Sequence, residues 1–346
     1  MVMIATRTLA AFDYAVQADQ GNAFRLWLGR VLPHMGDAYR QDTELFRSHM
    51  GASGIGRDCA RAVWYDFHWS TAKRAEGRML RLWNRGHLEE ARFIALMLSI
   101  GCNVIQQDEQ GRQFRISDYG GHYSGSGDGM AEGLPDFTPI TRALTEFKTH
   151  NDKSFKKLAG DNWGEWADYH VFGKTQGVRQ PPKFEGEGLR VSKFKHYVQM
   201  QQYMRKMGLA VGMYFAVNKN DDHIYAEVVP LDAELADKYT HRAIQIIPMH
   251  EPPKRINESP SWWKCKFCDH RPVCHFGAPP ERNCRTCEWA VPKEDGLWWC
   301  ENKERQMKML FGPSPGVSNE GENFSLTKQR QLEGCTFYSK NPHAFK

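Results

Sequence analysis

Residues 121–130 read GHYSGSGDGM and residues 144–150 read LTEFKTH. Together they put Asp128 at the end of one short extended stretch, and Glu146 and Lys148 on the next. Side chains alternate across a strand, so Glu146 and Lys148 share one face and Phe147 takes the other. Two carboxylates and an ammonium can then converge. Oxygen ligands of this kind suit a hard divalent cation such as Mg²⁺ or Mn²⁺, which retains waters for a phosphate substrate. The ion makes water a usable nucleophile near neutral pH and offsets charge on the phosphate oxygens. Lys148 would orient that water or stabilise the phosphate at its most highly charged. A surface Glu/Lys pair beside an unrelated turn Asp is the better explanation of E-x-K when it stands alone, so the flanking sequence decides.

Upstream, apolar residues recur at three and four spacing from Cys59 to Trp69 and from Ala72 to Gly101, which predicts consecutive helices. The second carries RGHLEE, with His87 and Glu90 three apart on one face. After Gly101 the period changes. Asn103–Gln107, Gln113–Ser117, Gly121–Asp128 and Ala143–Thr149 read as short strands of a small antiparallel or mixed sheet. Downstream, Asn151–Ala159 reads as a helix, and Gly160–Arg190 as a long loop containing Trp163, Trp166 and Tyr169. Ser192–Met207 is a helix that sets Gln199 and Tyr203 on one face at i, i+4, with Met200, Met204 and Met207 as packing. Ala210–Asn218 and His223–Pro230 read as strands, and Leu231–Ile247 as a helix.

The chain has 346 residues, of which 41% are hydrophobic and 25% charged. That is enough for one large domain or two smaller ones, and excludes a disordered or fibrous class. The longest apolar run is too short for a membrane helix, and the start lacks a signal-peptide pattern, so the expected location is cytoplasmic. Net charge is only +5, but residues 148–206 hold twelve Lys/Arg against six Asp/Glu, while the remainder is close to neutral. Any polyanion should bind there. No phosphate-binding Gly-rich Lys/Ser loop is present, which argues against an ATPase motor.

In this order, Gly86-His87, Gly125 to Asp128, Glu146 to Lys148 and Gln199 to Tyr203 resemble the motifs of the PD-(D/E)xK nuclease superfamily, in its RecB-like branch. That branch includes iron–sulfur phage exonucleases and CRISPR-associated adaptation nucleases. The resemblance covers about Cys59 to Cys274. It implies an α/β fold with a restriction-endonuclease-like core, in which helices flank a central mixed sheet. It also implies that His87, Asp128 and Glu146 hold Mg²⁺ or Mn²⁺ with the Phe147 carbonyl, that Lys148 acts on the water, and that Gln199 and Tyr203 position DNA or the site. Gly127-Asp128 replaces the frequent Pro-Asp of the family. The expected layout is a helical lead-in over 1–58, the nuclease core over 59–250 and a Cys-rich metal-binding module over 251–346.

Nine cysteines in a reducing compartment point to metal or redox chemistry, and six of them lie between Cys265 and Cys300. Cys265, Cys268 and Cys274 form C-x2-C-x5-C. The same resemblance implies that these three, with Cys59, hold a [4Fe–4S] cluster, four thiolates being the usual ligand count. Cys284, Cys287, Cys300 and Cys335 then remain as a candidate Zn²⁺ set, with His343 a rival for the fourth place. A competing partition joins Cys265, Cys268, Cys284 and Cys287 as C-x2-C-x15-C-x2-C, a zinc-ribbon spacing. The iron–sulfur partition is preferred because it gives Cys59 a role and leaves a complete second set of four. Cys102, among apolar residues, reads as an inert buried thiol.

Lys153, Lys156, Lys157, Lys193 and Lys195 are the expected phosphate contacts, with Arg179, Lys183 and Arg190 around the loop. Trp163, Trp166 and Tyr169 are candidates to stack on frayed bases, although aromatics at a spacing of three are more often core. No base-reading motif is visible, so little sequence specificity is expected. The functional expectation is a metal-dependent DNA exonuclease. By analogy it serves phage recombination, replication or DNA degradation in a host cytoplasm, with a single-strand annealing protein or helicase as partner. The rivals are a structure-specific or restriction-type endonuclease, a non-catalytic DNA-binding protein with structural metals, and a ferredoxin-like redox carrier.

Overall fold

The computed structural model describes residues 1–35, 45–72, 74–164, 167–171, 174–180, 183–302 and 325–345. It divides into two compact units, each drawn from three stretches of chain: 1–42, 75–116 and 126–237 form one, and 43–74, 117–125 and 238–346 the other.

The first unit is built on a mixed sheet. Its strands are β1 (Met3–Ile4), β2 (Asn103–Ile105), β3 (Met130–Glu132), β4 (Ala143–His150), β5 (Val211–Asn218) and β6 (Ile224–Pro230), in the order β1-β6-β5-β4-β3-β2. β4 and β5 run parallel and every other pair is antiparallel. Helices α1 (Thr6–Ala18), α2 (Gly77–Ser99), α3 (Asp152–Ala159) and α4 (Phe194–Met207) flank it. β4 alternates as its sequence requires. Phe147 stacks with Phe93 of α2 at 5.3 Å and with Phe215 of β5 at 5.8 Å, and Phe12 of α1 stacks on Phe215 at 5.8 Å. These rings fill one face of the sheet. Glu146 and Lys148 are thereby turned to the opposite face, where α4 lies close. A Cβ on Gly212 of β5 would stand 2.8 Å from Met200 Cε and 3.2 Å from Met204 Sδ, so a side chain there would push α4 off β5.

Two expected elements differ. Gly121–Asp128 is not one strand: only Tyr123–Ser126 is extended, and Asp128 lies in the turn before β3. The stretch Gly160–Arg190 is not a structureless loop, because Ala167–Val171 pairs antiparallel with Lys174–Gln180. Trp166 falls outside the described residues, as do the side chains of Tyr169 and Arg179.

The second unit has helix Ala60–Phe67, short helices Trp263–Lys266 and Arg271–Phe276, and a three-stranded antiparallel sheet of Ala290–Pro292, Trp298–Cys300 and Ser325–Leu326. A buried cation organises part of its core. The Arg285 guanidinium lies 3.8 Å from the Trp69 ring centroid, 4.7 Å from Trp298 and 5.2 Å from Phe67. It donates to Gln331 Oε1 at 2.7 Å, the Phe67 carbonyl at 2.9 Å and the Ser48 carbonyl at 2.7 Å. The region after Pro253 thus has apolar and cation–π order of its own.

Beside this cage, the buried His68 ring stacks on Trp64 at 3.6 Å. Burial, with the nearby Arg285 charge adding, lowers its pKa to about 3. The folded protein therefore favours neutral His68: this stabilisation is complete above the unfolded value near pH 6.5 and is lost as pH falls toward 3. Between pH 7.5 and pH 5.0, wild type is expected to lose about 2 kcal/mol more stability than His68→Gln, as read from urea unfolding at each pH. Equal losses in the two proteins would remove His68 as the titrating group.

Among the described residues no helix is long and apolar enough to cross a membrane.

Candidate active site

The carboxylates meet at the middle of β4. Gly129 has φ +140° and a Cβ there would lie 3.0 Å from the Ile105 carbonyl oxygen, so the turn that carries Asp128 needs glycine at that position. The turn aims Asp128 at β4, where its Oδ2 accepts the Phe147 N–H at 3.0 Å. Lys148 Nζ pairs with Glu146 Oε1, lies 3.9 Å from Asp128 Oδ2 and donates to the Phe147 carbonyl at 3.0 Å. From α4, Gln199 Nε2 donates to the same Glu146 oxygen at 2.8 Å. Tyr203, one turn later and buried, reaches to within about 4.0 Å of the Cβ position on Gly127. Asp128, Glu146, Lys148, Gln199 and Tyr203 are therefore brought to one place.

His87 is joined to this group through Glu90. Its Nδ1 lies 3.7 Å from Glu90 Oε1, one turn along α2. Glu90 is the member of that pair that senses the site: burial raises its pKa, His87 and Lys148 oppose, and Asp128 adds to the rise. The sequence placed Glu90 beside His87 on one helical face but gave it no role, and that spacing of three was the available signal.

Charge in the site is unbalanced. Glu90, Asp128 and Glu146 face one ammonium, and Glu146 Oε2 is buried without a hydrogen-bond partner among the described residues. Burial pushes the Glu146 pKa up to about 8, with Asp128 and Glu90 adding and Lys148 opposing. Burial alone would weaken Lys148 as a base-held ammonium, but Glu146 and Asp128 outweigh it and hold its pKa above the usual lysine range. A buried orphan oxygen in an excess of carboxylates is the donor chemistry that a hard divalent cation satisfies.

Behind Lys148, Tyr214 of β5 bridges two imidazoles. Its hydroxyl lies 2.9 Å from His150 Nε2 and 3.0 Å from His196 Nδ1. Burial lowers the His150 pKa to about 3 and carries His196 well below its ordinary value, with neighbouring lysines adding in both. These two rings are neutral at pH 7 and surround Lys148 without competing for its carboxylates. Sequence reasoning missed them, although His150 shares the strand face of Lys148 by the same period of two.

The expected DNA-contacting residues are more engaged than their charge suggests. Lys156 pairs with Asp152 at 2.9 Å, Lys157 with Glu187 at 3.5 Å, and Lys193 donates to the Ser154 carbonyl at 2.9 Å. Lys153 and Lys195 are exposed. Trp163 is a core residue: it is buried, its Nε1 donates to the Ile224 carbonyl at 2.9 Å, and its ring packs edge-on against Tyr225. It has no face for a base.

In the second unit, Cys59, Cys265, Cys268 and Cys274 line one cavity, and Cys284, Cys287, Cys300 and Cys335 another. None of these eight forms a disulfide. Cys268 accepts the backbone N–H of His270, and Cys287 those of Trp289 and Ser339. Among the described residues no three His, Cys, Asp or Glu side chains are drawn together closely enough to hold a metal ion as they stand. Cys102 is buried, with its pKa raised to about 11, and donates weakly to the Gly133 carbonyl.

No protein-family model and no curated protein matches the chain. Solved structures do. The protein SSO0001 is 14% identical over 74% of this chain and 97% of its own, with a TM-score of 0.35. The alkaline exonuclease LHK-Exo from Laribacter hongkongensis, alone and in complex with dAMP, is 14% identical over 64% of this chain and 90% of its own, with a TM-score of 0.32.

Proposed function

We propose that this chain is a Mg²⁺- or Mn²⁺-dependent deoxyribonuclease that works from DNA ends. The observation that carries the reading is the acid excess around Lys148, with one oxygen of the buried Glu146 unpartnered among the described residues. Asp128 and Glu146 would hold the ion with the Phe147 carbonyl, and Glu90 faces the same charge. When bound, the ion supplies a Lewis acid for the phosphate and a water acidic enough to attack near neutral pH. Gln199 fixes Glu146 by donating to Oε1, which leaves Oε2 for the ion. Lys148, kept protonated by its two carboxylates, stabilises charge on the phosphate as the bond to the leaving oxygen breaks. The aromatic layer of Phe93, Phe147 and Phe215 keeps water from the other side of the sheet.

The two four-cysteine cavities support two further parts of the reading. The donor set Cys59, Cys265, Cys268 and Cys274 fits a [4Fe–4S] cluster, and Cys284, Cys287, Cys300 and Cys335 fit Zn²⁺. Their segregation into separate cavities supports this partition over the ribbon that mixes them. Bound groups would draw each set inward.

The test incubates the purified protein with linear and covalently closed circular DNA, in Mg²⁺, Mn²⁺ or no divalent cation, while iron and zinc are counted in the same preparation. Degradation of linear DNA alone, only with the added ion, is expected. Cutting of closed circles would favour the endonuclease reading, and intact DNA throughout would leave a binding protein.

A further inference from the structure

We infer a second nucleic-acid site, a stacking surface for single strands, formed by Trp263, Phe267 and Phe276 of the second unit. These rings are 62%, 79% and 60% exposed and fall within fourteen residues of chain. Single exposed apolar residues are ordinary on protein surfaces; three large exposed aromatics within fourteen residues of chain are not. The local structure explains why they point outward. Trp263 and Phe267 are four apart across the turn Trp263–Lys266, whose Cys265 is the residue turned in and buried. Cys265, Cys268, Cys274 and His275 line a cavity, so the segment commits its small residues inward and leaves its rings exposed.

Each ring carries a cation. Lys264 Nζ lies 4.9 Å from the Trp263 centroid, Lys266 Nζ 5.7 Å from Phe267, and the Arg271 guanidinium 5.1 Å from Phe276. Residues 262–276 contain these three cations against Asp269, and Lys264 also pairs with Asp58. The charge complements a polyanion, and the open ring faces complement unpaired bases. Rings that accept bases, with cations beside them to track phosphates, are how single strands are held without sequence preference. A duplex offers no free base face. An apolar protein partner is a poorer match for a surface in which every ring is flanked by positive charge.

The surface shares no residue with the carboxylate site. The inference rests on the nuclease reading only in taking DNA, rather than RNA, as the source of the strand.

Binding is measured by fluorescence anisotropy with the full chain, without added divalent cation, using labelled dT12, U12 and a 12-bp duplex. Wild type is expected to bind dT12 more tightly than U12 or duplex. Phe267→Ala should weaken dT12 roughly tenfold, and Trp263→Ala/Phe267→Ala/Phe276→Ala roughly a hundredfold or more, with the salt slope kept. Lys266→Gln should instead lower the salt slope by about one contact. If the triple variant melts early, Phe267→Ala decides, since its side chain is almost wholly solvated. Unchanged dT12 affinity in Phe267→Ala and the other single variants overturns the site, as does preference for duplex or for a protein partner. U12 bound as tightly as dT12 overturns the assignment to DNA. Loss of dT12 binding in a protein that cleaves nothing sustains this site and removes the nuclease reading. Unchanged binding in an active nuclease does the reverse.

Discussion

Asp128→Asn is expected to end metal-dependent cleavage and leave the fold intact. The carboxylate has two tasks that this substitution separates. Its Oδ2 accepts the Phe147 N–H at 3.0 Å and so ties the Gly127–Gly129 turn to β4. An asparagine carbonyl can accept that hydrogen bond, whereas Asp128→Ala would leave a part-buried N–H unmet at a cost of about 1–2 kcal/mol. The charge is the second task, and Asn removes it. With one carboxylate fewer, Lys148 balances more of the remaining acid and the pull on a divalent cation falls. A loss in rate on the order of 10³-fold is expected on linear DNA, with a melting temperature within a degree or two of wild type. A variant that is equally folded and equally active would show that cleavage does not use this carboxylate.

Arg285→Ala is expected to be the most destabilising single change in the second unit. The substitution empties a cage whose three aromatic walls face the guanidinium, and strips donors from the Ser48 and Phe67 carbonyls and from Gln331. Burial alone pushes the Arg285 pKa well below its usual value. The cation–π walls and the three accepted hydrogen bonds are what keep the charge there tolerable. Void and orphan acceptors together cost about 4 kcal/mol, or roughly 5–10 °C in melting temperature. Arg285→Lys should recover only part of this, because an ammonium lacks the planar fork that reaches three acceptors at once. A melting temperature unchanged in Arg285→Ala would mean that the cage is dispensable.

What could be read from the sequence was what local periodicity encodes. The period of two in LTEFKTH put Glu146 and Lys148 opposite Phe147, and the i, i+4 spacing put Gln199 and Tyr203 together; both are local backbone geometry. What could not be read depended on contacts distant in the chain. Glu90 comes into play only through where α2 packs on the sheet, which Phe93 determines. Stacking and core readings of Trp163 both stood open, because nothing in its own neighbourhood reveals Tyr225 and the Ile224 carbonyl about sixty residues later. Arg285 gives no spacing signal at all, since its cage draws rings from Phe67, Trp69 and Trp298. The exposed rings at 263–276 were hidden by their setting among cysteines, where composition speaks of metal and not of surface.

The interleaving of the two units also sets an order of events on the ribosome. The stretch 43–74 emerges early, yet the other residues of its unit arrive mostly after 238. At about 5–20 residues per second, Cys59 and Trp69 wait roughly 10–40 s for Cys265, Arg285 and Trp298. The sheet from β1 to β6 is complete by Pro230 and can form during that interval. A nascent chain halted there would carry the whole carboxylate site while part of the second unit hangs unpaired and open to chaperones. The unit that carries the carboxylates is thus made first, and the unit that holds the two four-cysteine cavities closes only after its later residues arrive.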